Sequence, residues 1–125
     1  MKATEVQVGG NHYKQFKIQP IEFCMKNGLN ACQTNIVKYI CRYKHKNGKE
    51  DLLKALHYVE LWEQFIKGGM PNVKSELFMP VYAFYEANLL SDEQHTIIHY
   101  VCFCHIEEAK RDIKKLIKTE YPDAD

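Results

Sequence analysis

NACQTNIVKYICRYKHKNGKEDLLKALHY, residues 30–58, predicts two helices joined by a short basic turn at residues 44–49. Asn30 and Gln33 have the spacing of a capping box, in which each side chain accepts a hydrogen bond from a free backbone N–H of the first helical turn. The first helix is therefore expected to begin near Ala31. Apolar residues recur at intervals of three and four in both halves, so one stripe of each helix is expected to be buried. Because the connection is short, the two helices are expected to pack antiparallel.

The polar residues of the two helices are expected to share one face of this hairpin. Positions equally far from the turn lie opposite each other in an antiparallel pair, which brings Arg42 level with Lys54. Several cations on one face repel one another unless an anion lies among them. The hairpin is therefore predicted to bind an anion. The residues expected on this face are Asn35, Lys38, Arg42, Asp51, Lys54 and Tyr58.

Packing offers a second interpretation of the same residues. In that interpretation Arg42 and Asp51 form a structural ion pair, and the lysines belong to an ordinary solvated surface. The spacing of the residues is the same in both cases. Periodicity alone therefore leaves both interpretations open.

The whole chain, residues 1–125, has the length of a single domain. It contains no run of about 18 apolar residues that could span a bilayer, and its first residues lack the apolar core of a signal peptide. We therefore expect a cytoplasmic protein with no membrane partner. The five cysteines form no CxxC pair, which favours buried thiols in a reducing compartment.

Charge is unevenly distributed along the chain, although the formal net charge is +1. Residues 1–70 contain 11 Lys and Arg against 6 Asp and Glu, whereas residues 71–125 contain 6 against 10. The basic half is expected to attract anions. Proteins that coat nucleic acid are generally more basic than a sequence pI near 7.7 implies. A compact phosphorylated ligand is therefore favoured over sequence-specific binding of nucleic acid.

The second half of the chain looks like a degenerate copy of the first. Gln33 and Ile36 have counterparts 61 positions later in Gln94 and Ile97, and Ser91 stands where the first unit has its capping asparagine. The sequence thus predicts an all-α fold of two tandem three-helix units related by a pseudo-two-fold repeat. The first unit spans about residues 12–67 and carries the polar face, and the second spans about residues 76–119 as scaffold. Further helices are expected at 20–27, 77–88, 92–104 and 107–118, after a short strand or extended N-terminal arm at 4–10.

Side chains must hold any bound phosphate, because neither a GxxxxGK[ST] nor a GxGxxG loop is present. A guanidinium such as that of Arg42 can grip two phosphoryl oxygens, and an ammonium acts as a point charge. Asp51 or Glu50 could hold a Mg²⁺ ion that bridges phosphates, and Asp51 is the favoured ligand. His12 is a candidate for proton transfer. The lysines expected to contact phosphate are Lys38, Lys46 and Lys54.

Four runs of sequence carry a resemblance to a known family: GGNHY, IQPIEF, NGL and NIVKYICRYKHKNGKEDLLKALHY. Over about residues 9–66 they resemble the bacteriophage nucleotide kinase-like family of small proteins without a Walker loop, formerly an uncharacterised phage protein family. The motif residues here are His12, Tyr13, Pro20, Asn35, Lys38, Tyr39, Arg42, Lys46, Gly48, Asp51, Lys54 and Tyr58. The resemblance implies a homo-oligomeric enzyme in the cytoplasm of an infected bacterium. It also implies Mg²⁺ bound with the nucleotide and no tightly bound cofactor.

Three functions follow from these observations. The first is a kinase that transfers phosphate from a nucleoside triphosphate to a deoxynucleoside monophosphate. The second is a nucleotide-sequestering protein that counters a host defence signal without turnover. The third is a protein-binding module whose exposed aromatics, such as Tyr82 and Tyr85, mark an interface. For the kinase, the catalytic candidates are Arg42, Asp51 and His12, with Asp51 also the metal ligand, and the substrate-binding candidates are Asn35, Lys38, Tyr39, Lys46, Lys54, Tyr58 and Tyr13.

Overall fold

A computed structural model describes residues 2–5, 16–74 and 76–123, and in these ranges the chain forms six α-helices and no strand. The all-α prediction is therefore confirmed. None of the described helices is long and apolar enough to cross a bilayer. The helices are α1 (Pro20–Lys26), α2 (Ala31–Arg42), α3 (Lys49–Lys67), α4 (Val81–Ala87), α5 (Asp92–Cys102) and α6 (Ile106–Glu120), with 3₁₀ helices at Ala3–Glu5 and Tyr43–His45.

Helices α2 and α5, which follow the short helices α1 and α4, both begin with a capping box. The Asn30 side chain accepts a hydrogen bond from the Gln33 backbone N–H, and the Gln33 side chain accepts one from the Asn30 N–H, each at 2.8 Å. Ser91 and Gln94 make the same reciprocal pair at the start of α5. Two otherwise unpaired N–H groups are thereby satisfied at each helix end. The predicted start of α2 at Ala31 is confirmed.

Two predicted boundaries are wrong. The helix expected from residue 77 begins at Val81, because Pro80 has an extended backbone (ψ 145°) and disfavours a helical conformation at the residue before it. The strand or extended arm expected at residues 4–10 is not found at its described end, where Glu5 donates to the Lys2 carbonyl at 2.9 Å within a 3₁₀ turn. Residues 6–10 lie outside the described ranges.

Helix α2 lies at the centre of the packing. It contacts α1, α3 and α5, while α6 closes the other side by packing against both α3 and α5. The core receives side chains from all six helices. Its largest fully buried members are Trp62, Tyr43, Phe23 and Phe84, and the last two rings stack with their centroids 4.2 Å apart.

The two short helices are tied to each other by a reciprocal pair of asparagines. The Asn27 side chain accepts from the Met79 N–H at 2.7 Å and donates to the Met79 carbonyl at 2.9 Å. The Asn88 side chain makes the same two bonds with Ile18, at 2.9 Å and 2.7 Å. The C-terminal end of each helix is therefore fixed to the entry of the other, so α1 and α4 lie antiparallel.

A second reciprocal pair joins α2 to α5 in the core. The Gln33 amide donates to the Val101 carbonyl at 2.9 Å, and the Gln94 amide donates to the Ile40 carbonyl at 2.9 Å. Both glutamines are buried, and both also belong to the capping boxes. Each glutamine thus fixes the start of its own helix against the middle or end of the other.

We expect Asn27→Ala to lower the free energy of unfolding by about 2 kcal/mol, because it leaves both backbone groups of Met79 without their partner in a part-buried place. Urea denaturation measures this change. The matched control is Asn35→Ala, since the Asn35 amide bonds only the Ala31 carbonyl of its own helix at an exposed position, and its effect should stay within about 0.5 kcal/mol. Equal losses in the two variants would contradict the structural role of Asn27.

Candidate anion-binding site

Three cations of the predicted hairpin converge on the ring of Tyr39. Lys38 Nζ lies 4.5 Å from the ring centroid, Arg42 Cζ 4.8 Å and Lys54 Nζ 5.6 Å. These distances are within the range of attractive cation–π contacts. We call these four residues the Tyr39 cluster. Tyr58 borders it, with its ring stacked on that of Tyr39 at 6.1 Å and an interplanar angle of 22°.

Helical spacing explains why these residues meet. Lys38 and Arg42 are four residues apart on α2, and Lys54 and Tyr58 are four residues apart on α3, so each pair lies along one side of its helix. The antiparallel packing of α2 and α3 then places the two sides next to each other around Tyr39. The cluster therefore depends on the geometry of the hairpin rather than on a loop.

Arg42, one of the four cluster residues, forms a buried ion pair with Asp51. Arg42 Nε donates to Asp51 Oδ2 at 3.2 Å, and Arg42 Nη2 donates to Asp51 Oδ1 at 3.1 Å. The backbone N–H of Asn47 also donates to Asp51 Oδ2, at 3.3 Å. The Asp51 side chain is completely buried and that of Arg42 is 10% exposed. The structural ion pair of the second interpretation is thus present, with two-point geometry that fixes both side chains.

This pairing bears on the roles predicted for Asp51. Both of its carboxylate oxygens accept hydrogen bonds, and its side chain has no exposed surface. A metal ion could reach this buried carboxylate only if the groups that cover it moved. The role of Asp51 as a Mg²⁺ ligand stays a prediction.

The two lysines of the cluster are held less firmly than the arginine. Lys54 Nζ lies 3.6 Å from Glu50 Oε1, one turn earlier on α3, and these side chains are 41% and 65% exposed. Such exposed pairs contribute little to stability, so an incoming anion can compete with the Glu50 carboxylate. Lys38 has no carboxylate within ion-pair distance among the described residues. The available positive charge therefore resides mainly on the lysines.

A small hollow adjoins the cluster at Lys38. Its volume is 110 Å³, well below the range of about 300–1,000 Å³ that small-molecule sites usually have. It can hold a small apolar group but not an entire nucleotide. The residues that line it are Gln19, Pro20, Ile21, Thr34 and Lys38.

The remaining predicted site residues lie in different places. The Asn35 amide donates to the Ala31 carbonyl at 3.0 Å, along its own helix. Lys46 is exposed in the basic turn. His12 and Tyr13 lie outside the described residues, so their predicted roles stay predictions.

A larger groove lies between α5 and α6, with a volume of 440 Å³. Three carboxylates and one ammonium line it, so it disfavours a phosphorylated ligand. No group of three or more His, Cys, Asp or Glu residues within the described ranges is placed to hold a metal ion. The lining residues of the groove are Asp92, Glu93, Thr96, Ile97, Asp112, Lys115, Leu116 and Thr119.

Sequence reasoning missed one local contact and one distant contact. The spacing of Glu50 and Lys54 by four residues would have revealed their pairing. The Tyr43 hydroxyl donates to Glu120 Oε1 at 3.1 Å, and no local pattern links residues so far apart. Burial, followed by the charge of Glu120, raises the pKa of Tyr43, so its hydroxyl remains protonated as the donor.

Comparison with known proteins matches part of the chain to one family. The model of a family described as "Protein of unknown function (DUF3310)" matches residues 8–60, less than half of the chain. No curated protein matches, and no solved structure matches. The matched region contains the whole Tyr39 cluster.

The identification of a nucleotide kinase-like family from the motif residues is therefore wrong. The region that carries those motifs is matched by a family without an assigned function, and no nucleotide kinase family is matched. The shared sequence runs fall largely on the helices of the hairpin, where capping and buried packing constrain the residue types. Any function must be argued from the site itself.

We expect Arg42→Ala to lower the free energy of unfolding by about 3–5 kcal/mol, because it leaves the Asp51 carboxylate buried without its cation. Urea denaturation is the measurement. A double variant, Arg42→Met with Asp51→Leu, should recover part of this loss, since it removes both charges together. A loss below about 1 kcal/mol for Arg42→Ala would show that Asp51 finds another partner or solvent.

Proposed function

We propose that the chain binds the phosphate groups of a nucleotide at the Tyr39 cluster. The observation that carries this proposal is the convergence of two ammonium groups and one guanidinium within 5.6 Å of one ring centroid. Asp51 pairs with the guanidinium and Glu50 pairs weakly with Lys54, which leaves Lys38 with no carboxylate within ion-pair distance among the described residues. An anion that contacts both lysines relieves their mutual repulsion and completes the charge balance.

The aromatic rings beside the lysines favour a nucleotide over inorganic phosphate. Tyr39 and Tyr58 are only partly buried, and His57 packs against Tyr58 with ring centroids 6.0 Å apart. Exposed aromatic faces next to cations are a common platform for nucleobases, because a base can stack while its phosphates contact the charges. The site therefore suits a ligand with both a flat ring and an anionic group.

Binding without turnover is the form of this proposal that the geometry supports best. Transfer of phosphate needs a metal ion or another group to neutralise the charge that develops on the phosphoryl oxygens. Asp51, the predicted metal ligand, already has both oxygens bonded to Arg42 and Asn47. We therefore favour sequestration of a nucleotide. The kinase, its Mg²⁺, the homo-oligomer and the phage-infected host stay predictions from the sequence.

We also infer that the chain consists of two repeat units and that only the first binds the nucleotide. The reciprocal bonds of Asn27 with Met79 and of Asn88 with Ile18 support this, because the partners are related by a shift of 61 positions. The glutamine bonds between α2 and α5 obey the same shift.

The two proposed units differ at the cluster positions. His99 and Phe103 stand 61 positions after Lys38 and Arg42, and their rings stack at 4.5 Å. An aromatic pair can therefore occupy the positions that hold cations in the first unit. Packing between the helices does not require positive charge there, which favours a binding role for Lys38.

Calorimetry with ATP tests the proposal on the wild-type chain, Lys38→Ala and Lys54→Ala. Each substitution should weaken binding about tenfold by removing one ammonium from the phosphates, while melting changes little because both side chains are partly exposed. Lys67→Ala is the matched control, an exposed lysine at the far end of α3. Wild-type affinity in both cluster variants, or no binding by the wild type, would refute the proposal.

Incubating the chain with ATP, Mg²⁺ and each deoxynucleoside monophosphate separates sequestration from catalysis. We expect bound nucleotide to be recovered unchanged, because the Asp51 carboxylate is buried against Arg42 and the described carboxylate beside the lysines is that of Glu50, which pairs with Lys54. Chromatography of the nucleotides is the measurement. Formation of a nucleoside diphosphate would show that the chain is a kinase and does not merely sequester the nucleotide.

A further inference from the structure

Residues 120–123 fold back onto the basic turn. Lys49 Nζ pairs with Asp123 Oδ1 at 3.0 Å, and the rings of Tyr43 and Tyr121 meet edge to face with centroids 6.4 Å apart. Together with the hydrogen bond from Tyr43 to Glu120, these contacts join the last residue of the turn and the residue just before the turn to the end of α6 and the residues that follow. We call residues 120–123 the C-terminal clasp.

Tyr121 lies directly over Gly48, the last residue before α3. A Cβ atom added at Gly48 would lie 3.2 Å from Oη and 3.3 Å from Cε1 of Tyr121, so the ring would have to shift by a few tenths of an ångström to admit a side chain. Gly48 has φ 54° and ψ −123°, a conformation that residues with a Cβ rarely adopt. Its N–H donates to the Tyr43 carbonyl at 2.9 Å and closes the turn. The clasp therefore covers the most constrained point of the turn.

The basic turn also contacts the residues that hold the Tyr39 cluster. The N–H of Asn47, the neighbour of Gly48, donates to Asp51. Asp51 holds Arg42, and Arg42 lies against Tyr39. The charge of Asp51 is also among the causes that raise the pKa of Tyr121, after burial and the charge of Glu120. A continuous series of contacts thus connects the clasp to the cluster.

We propose that the C-terminal clasp is a positioning element of the nucleotide site. It holds the basic turn in the conformation that aims the Asn47 N–H at Asp51 and presents Lys46 at the end of the hairpin. This inference rests on the proposed function, since it assigns the clasp to that same site. Without the clasp the turn gains conformational freedom, which nucleotide binding must then remove.

The test compares Tyr121→Ala with Tyr121→Phe in the full chain, with ATP as the probe. Tyr121→Phe keeps the ring over Gly48 and should bind ATP as the wild type does. Tyr121→Ala should weaken binding about fivefold, the lower end of usual coupling between separate sites. In the unliganded protein, the Gly48 N–H should exchange with solvent faster in Tyr121→Ala, while the buried amides of α5 stay protected.

Asp123→Asn provides a second variant that cannot be confused with unfolding, because Asp123 is 80% exposed and only its ion pair with Lys49 is lost. It should raise Gly48 exchange and weaken ATP binding about twofold. Wild-type affinity in Tyr121→Ala, or unchanged Gly48 exchange, would overturn the positioning role alone. Absence of ATP binding by the wild type would overturn the proposed function first, and the role of the clasp with it.

Discussion

The ion pair between Arg42 and Asp51 is the interaction on which the hairpin depends. It joins the last residue of α2 to the first turn of α3 through two hydrogen bonds, in surroundings that leave Asp51 no exposed surface. Burying two charges costs several kcal/mol, and well-packed apolar residues often replace such a pair without loss of stability. Its value here is geometric, because only one alignment of the two helices lets both oxygens meet the guanidinium.

In that alignment, the residues of the Tyr39 cluster have two different roles, one structural and one in binding. The Arg42 guanidinium pairs with the buried Asp51, whereas the side chains of Lys38 and Lys54 are partly exposed beside the Tyr39 ring. The two interpretations of the sequence therefore apply to different residues. The ion pair fixes the hairpin, and the lysines supply the charge that we assign to nucleotide binding.

Local patterns predicted the helices well and the distant contacts poorly. Capping boxes identified the start of α2, since a cap depends on residues three positions apart. Apolar periodicity predicted the facing sides of α2 and α3, because it too depends on residues only three or four positions apart. The start of α4 was missed because the apolar pattern continues through Pro80, whose effect on the preceding backbone outweighs it.

Within the site, the sequence predicted which cations share a face and offered Asp51 as a partner of Arg42, but it did not decide between Asp51 and a phosphate. The competition between Asp51 and a phosphate for Arg42 depends on burial, which spacing does not contain. Four helices separate Gly48 from Tyr121 along the chain, so no periodic signal predicts their contact. The motif runs led to a wrong family, since the family that matches residues 8–60 has no assigned function.

Titration of isotope-labelled protein with ATP, followed by NMR, tests the central claim most directly. Our account predicts that the largest chemical-shift changes occur at Lys38, Tyr39 and Lys54, with saturation as the nucleotide binds. Changes centred on the acidic groove near Asp92 and Lys115 would contradict it, as would a spectrum that ATP leaves unchanged.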